Sequence, residues 1–467
     1  MRGLLVSLTL AACAVAQRAP DVAPDWAKVN AEVLRHFQAL VQIDNTAGNE
    51  TRAVEYLRKV LEAEGIPVMV VSNDPAHANL IARLKGNGSK KPLLLMGHTD
   101  TVQIDAAKWT TFGPFSAALQ GGYLYGRGTQ DDRPHLAVNL TLMLLLKRMQ
   151  VPLDRDVIFV AEAGEESATA VGIEYLANEH FKDLDAEYCF AEVGSVLRRA
   201  GKPLIAFTDT AEKLPKGARL VAHGPAGHGS RPMRSSAVVH LSRAVEKIAT
   251  WDPPMRLNDT TRTYFEKLST VGSPEENARY KALLDPKKSA GAREYLAEHD
   301  PDKYSKLHTS ISPTMLKAGF QVNVIPSEAE ATLDIRALPD EDMTKFFELM
   351  RQTINDPAIE IIPVNRNARP LAAPSRLDTE AYRAIEAANQ KIYGVKTAPE
   401  MQTGATDMAF LRARGMQCYG TGTLVDEEDG AKGFGPHSDQ ERLLEEGLYK
   451  FMQFTWETVT NLGAGKR

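Results

Sequence analysis

The sequence predicts an α/β protein: a mixed, mostly parallel sheet with helices on both faces, carrying an inserted α+β lid domain. Three observations predict it. Leu93–Leu94–Leu95–Met96, Asp156–Val157–Ile158–Phe159–Val160–Ala161 and Tyr188–Cys189–Phe190–Ala191 are short, largely apolar runs bounded by turn or polar residues, the pattern of strands buried on both faces. An apolar-rich helix from Leu136 to Met149 separates the first two, and strands alternating with helices imply parallel pairing under helical cover. After about Glu212 the texture changes to alternating strands and amphipathic helices, as in an α+β unit.

The elements follow in order. Trp26 to about Gly65 is helical, with a break at Asn45 to Asn49, and Pro134 sits near the first turn of the Leu136 helix, where its missing N–H is harmless. Beyond Glu212, Ala218 to His223 alternates as a strand and Ser235 to Ala249 forms an amphipathic helix. Trp251 to Leu307 is polar and mainly helical. Thr309 to Ser312, Gln321 to Val324 and Glu330 to Ala337 read as antiparallel strands, Asp340 to Ile354 as a helix and Ile359 to Val364 as a closing strand. Asp378 to Tyr393 and Glu441 to Leu462 are long helices returning to the first domain. The expected division is a signal peptide over 1–16, catalytic domain over 17–212 and 368–467, and the inserted lid or dimerisation domain over 213–367.

With 467 residues, 43% hydrophobic and 25% charged, the composition excludes a disordered chain, a coiled coil, a collagen-like repeat and a multi-span membrane protein. The 55 basic and 60 acidic residues leave a net charge of -5, without the basic excess that neutralises phosphates, so no nucleic-acid partner is expected. Met1–Arg2–Gly3, the apolar Leu4 to Leu10 and Ala14–Val15–Ala16 before Gln17 form an export signal, which implies a periplasmic or extracellular protein. Leu10–Ala11–Ala12–Cys13 also resembles a bacterial lipobox, so a membrane partner is expected only if Cys13 is lipidated; a start codon assigned too early is the third reading. Cys189, on a predicted strand, and Cys418, in a loop region, give no reason to expect a disulfide.

In an open α/β sheet, ligands bind beyond the carboxyl ends of strands. His98 follows the first strand, Glu165 and Glu166 the second and Glu192 the third. Asp131 and Asp132 follow Gly126–Arg127–Gly128, and Gly435–Pro436–His437 supplies a second imidazole. Taken singly, each is a solvated loop residue or the acidic start of a helix; together they are a ligand set. Two imidazoles with three or more carboxylates suit a pair of zinc-like ions sharing one carboxylate, and such a pair activates water and polarises a carbonyl. One Glu in excess of the ligands is what a general base requires. Asp100, two residues after His98, points to the same side of an extended chain and can hold the ring nitrogen that faces away from the metal.

The wording of these motifs resembles the co-catalytic dizinc metallopeptidases that include aminoacylase, carboxypeptidase S, glutamate carboxypeptidase and succinyl-diaminopimelate desuccinylase. Leu95–Met96–Gly97–His98–Thr99–Asp100–Thr101–Val102 resembles the first-ligand signature and Leu124 to Asp132 the bridging-carboxylate signature. Ala163–Gly164–Glu165–Glu166–Ser167 is similar to the paired-glutamate motif. Gly224 to Pro232, Asn323–Val324–Ile325–Pro326 and Leu333–Asp334–Ile335–Arg336 resemble lid segments, and Thr403 to Asp407 with Gly435–Pro436–His437 completes the series. The resemblance spans nearly the whole mature chain, in order.

It implies that Asp131 bridges two divalent cations, zinc before cobalt or manganese, with His98 and Glu192 completing one site and Glu166 and His437 the other. Glu165 is the implied base, Asp100 orients His98, and His228 of the lid stabilises the oxyanion, often across a dimer interface, which implies a homodimer through the lid. Asn323, Arg336 and the backbone around Gly404 are the implied holders of a substrate carboxylate. Arg133–Pro134 stands where relatives carry Lys-Gly, Ala163–Gly164 where an Asp is common, and Glu192 where Asp is common. The expected activity is hydrolysis of an amide bond in a short peptide or N-acyl amino acid, carboxypeptidase-like, with an aminopeptidase or dipeptidase as the alternative. A catalytically silent binding protein is the alternative from a different class.

Overall fold

The computed structural model describes residues 23–46, 48–364 and 369–463; the export segment and Cys13 lie outside the described residues. Ten strands form the main sheet, in the order Val68–Val71, Asn79–Leu84, Val157–Glu162, Leu93–His98, Tyr188–Ala191, Gln417–Gly420, Lys202–Glu212, Ser195–Arg199 and Leu424–Asp426, with Thr397–Gln402 also paired to Lys202–Glu212. The four strands from Val157–Glu162 to Gln417–Gly420 are mutually parallel, and antiparallel pairs continue the sheet on both sides. The expected mixed, mostly parallel sheet is therefore parallel at its centre.

The apolar runs are buried on both faces. Leu93, Leu95, Val157 and Phe159 join a core under the helices Trp26–Val41, Arg133–Arg148, Glu380–Tyr393 and Glu445–Gly463. Their neighbours Leu94, Met96, Ile158 and Val160 pack on the other face against Ile173, Leu176, Met408 and Leu411. Period-two alternation between two cores explains why these strands read as unbroken apolar segments. Cys189 and Cys418 are directly opposite one another on parallel strands, both buried as free thiols. Cys418 thus lies in a strand, not in the loop expected from sequence.

A second, antiparallel sheet contains Ser310–Ala318, Glu328–Ala337, Leu214–His223 and Ile359–Val364 in that order. Ala237–Ala249 and Met343–Ile354 cover the face on which Ala329, Ala331, Leu333 and Ile335 alternate inward. The predicted strand at Gln321 to Val324 reduces to a two-residue pairing of Val324–Ile325 with Gly227–His228. The stretch from Trp251 to Leu307 forms four helices, Asp259–Leu268, Pro274–Leu283, Ser289–His299 and Pro301–Ser305. They were expected to accompany the lid. Instead Tyr264, Phe265, Leu268, Leu283 and Leu296 pack with Ile205 and Ala398 of the main sheet, the apolar faces of the helices meeting an apolar surface of the sheet.

Candidate metal centre

Three adjacent parallel strands deliver most of the candidate ligands. His98 ends Leu93–His98, Glu165 and Glu166 lie just beyond Val157–Glu162, and Glu192 follows Tyr188–Ala191. Asp131 comes from the turn before the helix Arg133–Arg148, and His437 from the loop before the short strand Arg442–Leu444. Loops at the carboxyl edge of a parallel sheet converge in this way for geometric reasons.

Asp131 stands at the centre. Its Oδ1 lies 2.8 Å from His98 Nε2 and its Oδ2 3.1 Å from His437 Nε2. Glu192 Oε2 is 3.5 Å from His98 Nε2, and Glu166 Oε1 is 2.9 Å from His437 Nε2. Glu192 thus reaches the His98 imidazole. Ligand atoms of His98, Asp131 and Glu166 lie within 4.8 Å of one another, as do those of His98, Glu165 and Glu192. Val193 and His437 both adopt left-handed backbone, at φ 64° and 63°. For a β-branched Val this is an outlier that the surroundings must hold in place, a frequent mark of functional loops.

Buried polar residues fix these loops. Asp100 accepts from the backbone N–H of Glu165 at 3.2 Å and of Glu166 at 3.1 Å, while its Oδ1 lies 3.3 Å from His98 Nδ1. One carboxylate therefore orients the first imidazole and the paired glutamates together. Glu441 accepts from the N–H of Gly128, Gln130 and Asp131 and pairs with Arg127 at 2.9 Å. Arg133 donates to the Thr99 carbonyl at 2.6 Å, which gives the departure from Lys-Gly a local role. Asp132 accepts from the His98 N–H at 3.3 Å and binds His135. Gly97 permits this, since a Cβ there would come within 3.0 Å of Asp132 Oδ2. Ala163 N–H finds its acceptor in Asn79 Oδ1 at 2.9 Å.

The charges crowd. Burial, then the Glu192 and Asp407 charges, push the Glu165 carboxyl well above the usual carboxylate range. Burial likewise pushes Glu192 up to about 7. Burial alone would depress His98, but hydrogen bonds to Asp100, Asp131 and Glu192 outweigh it and raise the imidazole. Hydrogen bonds to Asp131 and Glu166 raise His437 to about 10. Asp131 is held far below the usual carboxylate range, burial being overcome by its two imidazole partners. This donor set fits divalent cations: carboxylates crowd around two imidazoles, and each Asp131 oxygen faces a different one.

Arg369 was not singled out in the sequence. Its Nη2 donates to Glu165 Oε1 at 3.2 Å and its Nη1 lies 3.2 Å from Asp407 Oδ1. Asp407 is buried at the head of the short helix Met408–Arg412, so the loop containing Gly404 meets the centre through Asp407 and Arg369. His228 is exposed on the lid with Ser230 Oγ 2.8 Å from Nδ1, and the Asn323 carbonyl accepts from Gly229 at 2.8 Å. Arg336 Nε donates to Asp334 at 2.8 Å. Among the described hydrogen bonds and ion pairs, none joins His228, Asn323 or Arg336 to the centre. A cavity of about 310 Å³ opens beside Asp131 and Glu192, lined also by His135, Ser195, Glu400 and Gln402.

Comparison with known proteins places this geometry. The family model described as peptidase family M20/M25/M40 matches residues 94–460. The chain is 25% identical over 380 residues to the N-fatty-acyl-amino acid synthase/hydrolase PM20D1 of Xenopus tropicalis, covering 79% of this chain and 72% of that protein. It is 27% identical to the probable carboxypeptidase S-like 2 of Dictyostelium discoideum, covering 71% of this chain and 64% of that one, just under two thirds. Among solved structures, the M20 family metallo-carboxypeptidase Sso-CP2 of Sulfolobus solfataricus shares the fold with a TM-score of 0.64 at 18% identity, over 92% of this chain and 99% of that one.

Proposed function

Because the chain belongs to peptidase family M20/M25/M40, whose members are metal-dependent peptidases and amidohydrolases, we propose that it cleaves the amide bond of short peptides or N-acyl amino acids bearing a free carboxylate. The observation that carries this reading is Asp131, buried with one oxygen toward His98 and the other toward His437. In the proposal His98, Asp131 and Glu192 hold one cation and Asp131, Glu166 and His437 the other, both zinc by preference. A pair of divalent cations there supplies an acidified water and a Lewis acid for the scissile carbonyl.

Glu165 is the base. It takes a proton from the attacking water and returns it to the leaving amine. Burial and the neighbouring carboxylates raise its proton affinity, and positive charge nearby lowers it. Arg369 fixes the carboxylate by gripping Oε1, and Asp100 fixes the backbone beneath it. An unligated glutamate with its own guanidinium clamp supports an active enzyme over a silent binding protein.

His228 is read as the oxyanion donor, brought by the lid of a second copy; Ser230 at Nδ1 leaves Nε2 to donate. Asn323, Arg336 and the backbone at Gly404 are the proposed carboxylate holders, with Asp334 orienting the Arg336 fork. The carboxypeptidase-like reading is preferred to the aminopeptidase one by Glu400. This is the acidic residue that lines the cavity away from the ligands, and Lys306 occupies it at 3.2 Å, so a substrate ammonium would compete with a buried lysine. Export, with or without a lipid on Cys13, is proposed from the N-terminal sequence; no described helix is long and apolar enough to cross a membrane.

The test is Glu165→Gln, assayed on dipeptides and N-acyl amino acids with free or blocked carboxylates. The variant is expected to retain two metal ions per chain by elemental analysis and to lose at least roughly a thousandfold in kcat. Near-normal turnover would remove Glu165 from the role of base. One ion with full activity would reject the two-cation centre.

A further inference from the structure

A second cavity, of about 280 Å³, lies between the helices of the 251–307 stretch and the edge of the main sheet. It shares Ser195 and Glu400 with the cavity beside the metal centre, so the two meet at those residues. Resting on the amidohydrolase reading, we propose that this chamber is a subsite for the acyl chain of an N-acyl amino acid, accommodating a linear aliphatic tail.

The strand pairing builds the path. Ser195 is opposite Phe207 and Leu197 opposite Ile205 in antiparallel register. Residues two apart face the same side, so Ser195, Leu197 and Arg199 form a row that begins three residues after Glu192 and leads away from it. All three line the chamber, as do Ile205, Phe207 and Tyr264; the carboxylates Glu276, Asp302, Glu400 and Glu427 are also in its wall, each ion-paired to Arg199 or Lys306. From Ser195 to Arg199 is roughly 13 Å of extended strand. A methylene needs about the ~30 Å³ of a liquid water, so the volume holds a chain on the order of eight to ten carbons.

The charges decide which end of the substrate enters. Arg199 is bound to Glu276 at 3.1 Å and to Glu427 at 2.6 Å. Lys303 is bound to Asp300 at 2.6 Å, and Lys306 to Asp302 and Glu400. Every described cation at the chamber or its neck therefore has an acidic partner, and a substrate carboxylate would find only occupied ones. The carboxylate end points elsewhere, and the acyl end is left for the apolar walls. Leu197, Leu204, Phe207 and Val271 are only partly buried there, which leaves surface for the chain to cover.

The experiment is a chain-length series on the metal-loaded protein: N-acetyl-, N-butanoyl-, N-octanoyl- and N-decanoylglycine. kcat/KM is expected to rise roughly fourfold per methylene up to about eight to ten carbons. Val271→Trp, which fills the chamber, should abolish the rise and leave N-acetylglycine unchanged. Phe207→Ala, which enlarges it, should move the optimum to longer chains. The same series is measured by calorimetric binding to Glu165→Gln, which reads the subsite without turnover. Hydrolysis of N-acetylglycine with no length dependence overturns the subsite and leaves the amidohydrolase standing. Length-dependent binding that Val271→Trp removes supports the subsite even if no amide is turned over, in which case the amidohydrolase reading alone fails. A length dependence that follows the amino-acid side chain of N-acetyl substrates, or one untouched by both variants, also overturns it.

Discussion

Asp100→Asn preserves shape and removes one acceptor from a carboxylate that accepts from the N–H groups of Glu165 and Glu166, at 3.2 and 3.1 Å, and lies 3.3 Å from His98 Nδ1, a third donor that is also hydrogen-bonded to the Asp100 backbone carbonyl at 3.2 Å. The amide keeps one oxygen and turns an NH2 toward a group that is itself a donor. At least one charge-assisted hydrogen bond is lost, about 2 kcal/mol, which is roughly 30-fold in an equilibrium constant. The three donors belong to a proposed ligand, the proposed base and a second proposed ligand, so the loss should fall on metal affinity and turnover together. Competition with a chelator of known zinc affinity is expected to show binding weakened 10- to 100-fold, the range for groups that orient metal ligands, with kcat reduced at saturating metal. The metal-free protein, in which Asp100 adds to the acidic cluster, should lose less in thermal unfolding. Zinc affinity within about twofold of wild type would refute the view that Asp100 organises the centre.

Two further predictions concern stability. Burial, with Arg35 beside it, pulls His36 down to about 4, and Tyr56 OH sits 2.7 Å from its Nδ1. The unfolded chain therefore binds a proton near pH 6.5 that the folded one refuses until about 4, so the stability due to this residue is full above pH 6.5 and lost as pH falls through 4; His36→Gln should flatten the urea midpoint across that window, and an unchanged acid limb would contradict it. Gly194→Ala would place a Cβ 2.4 Å from Thr421 Cα and 2.6 Å from the Gly420 carbonyl, both backbone, and should destabilise by about 2–3 kcal/mol or more while weakening metal binding through Glu192. Gly430, with open space around it, serves as the control: Gly430→Ala should stay within about 0.5 kcal/mol of wild type in the same urea titration.

The parts of the fold visible in sequence are those whose burial shows as composition. Leu93 to Met96 and Val157 to Ala161 are apolar because both faces are covered. Lys202–Glu212 was not read as a strand although most of it is buried. Its Thr208, Asp209 and Thr210 look solvated, and partners distant in sequence, Arg412 at 2.8 Å and the Gln402 N–H at 3.2 Å from Asp209 and Thr260 at 3.0 Å from Thr210, explain why Asp209 and Thr210 are inside. The same limit hid Arg369, whose partners Glu165 and Asp407 are distant in sequence. Glu441 resembled the acidic first turn of the last helix. It is instead fully buried against Arg127 and the turn at Gly128, and the helix starts at Glu445. The candidate set around Asp131 could be assembled from sequence because strand ends mark one edge of a parallel sheet whatever the sequence between them. The packing of the Trp251 to Leu307 helices was not, since their amphipathic faces say that they are covered and not by what.

Glu441 and His437 have a consequence for biosynthesis. The turn that presents Asp131 is closed by a residue synthesised 310 positions later, and one of the two imidazoles facing Asp131 comes from the same late segment. A nascent chain lacks both until residue 441 has been added, so the four parallel strands at the centre of the sheet, complete by Gly420, are synthesised before the full donor set. In the proposed centre, cation capture would thus require a chain finished through the 437 loop, whichever of its earlier strands have already paired.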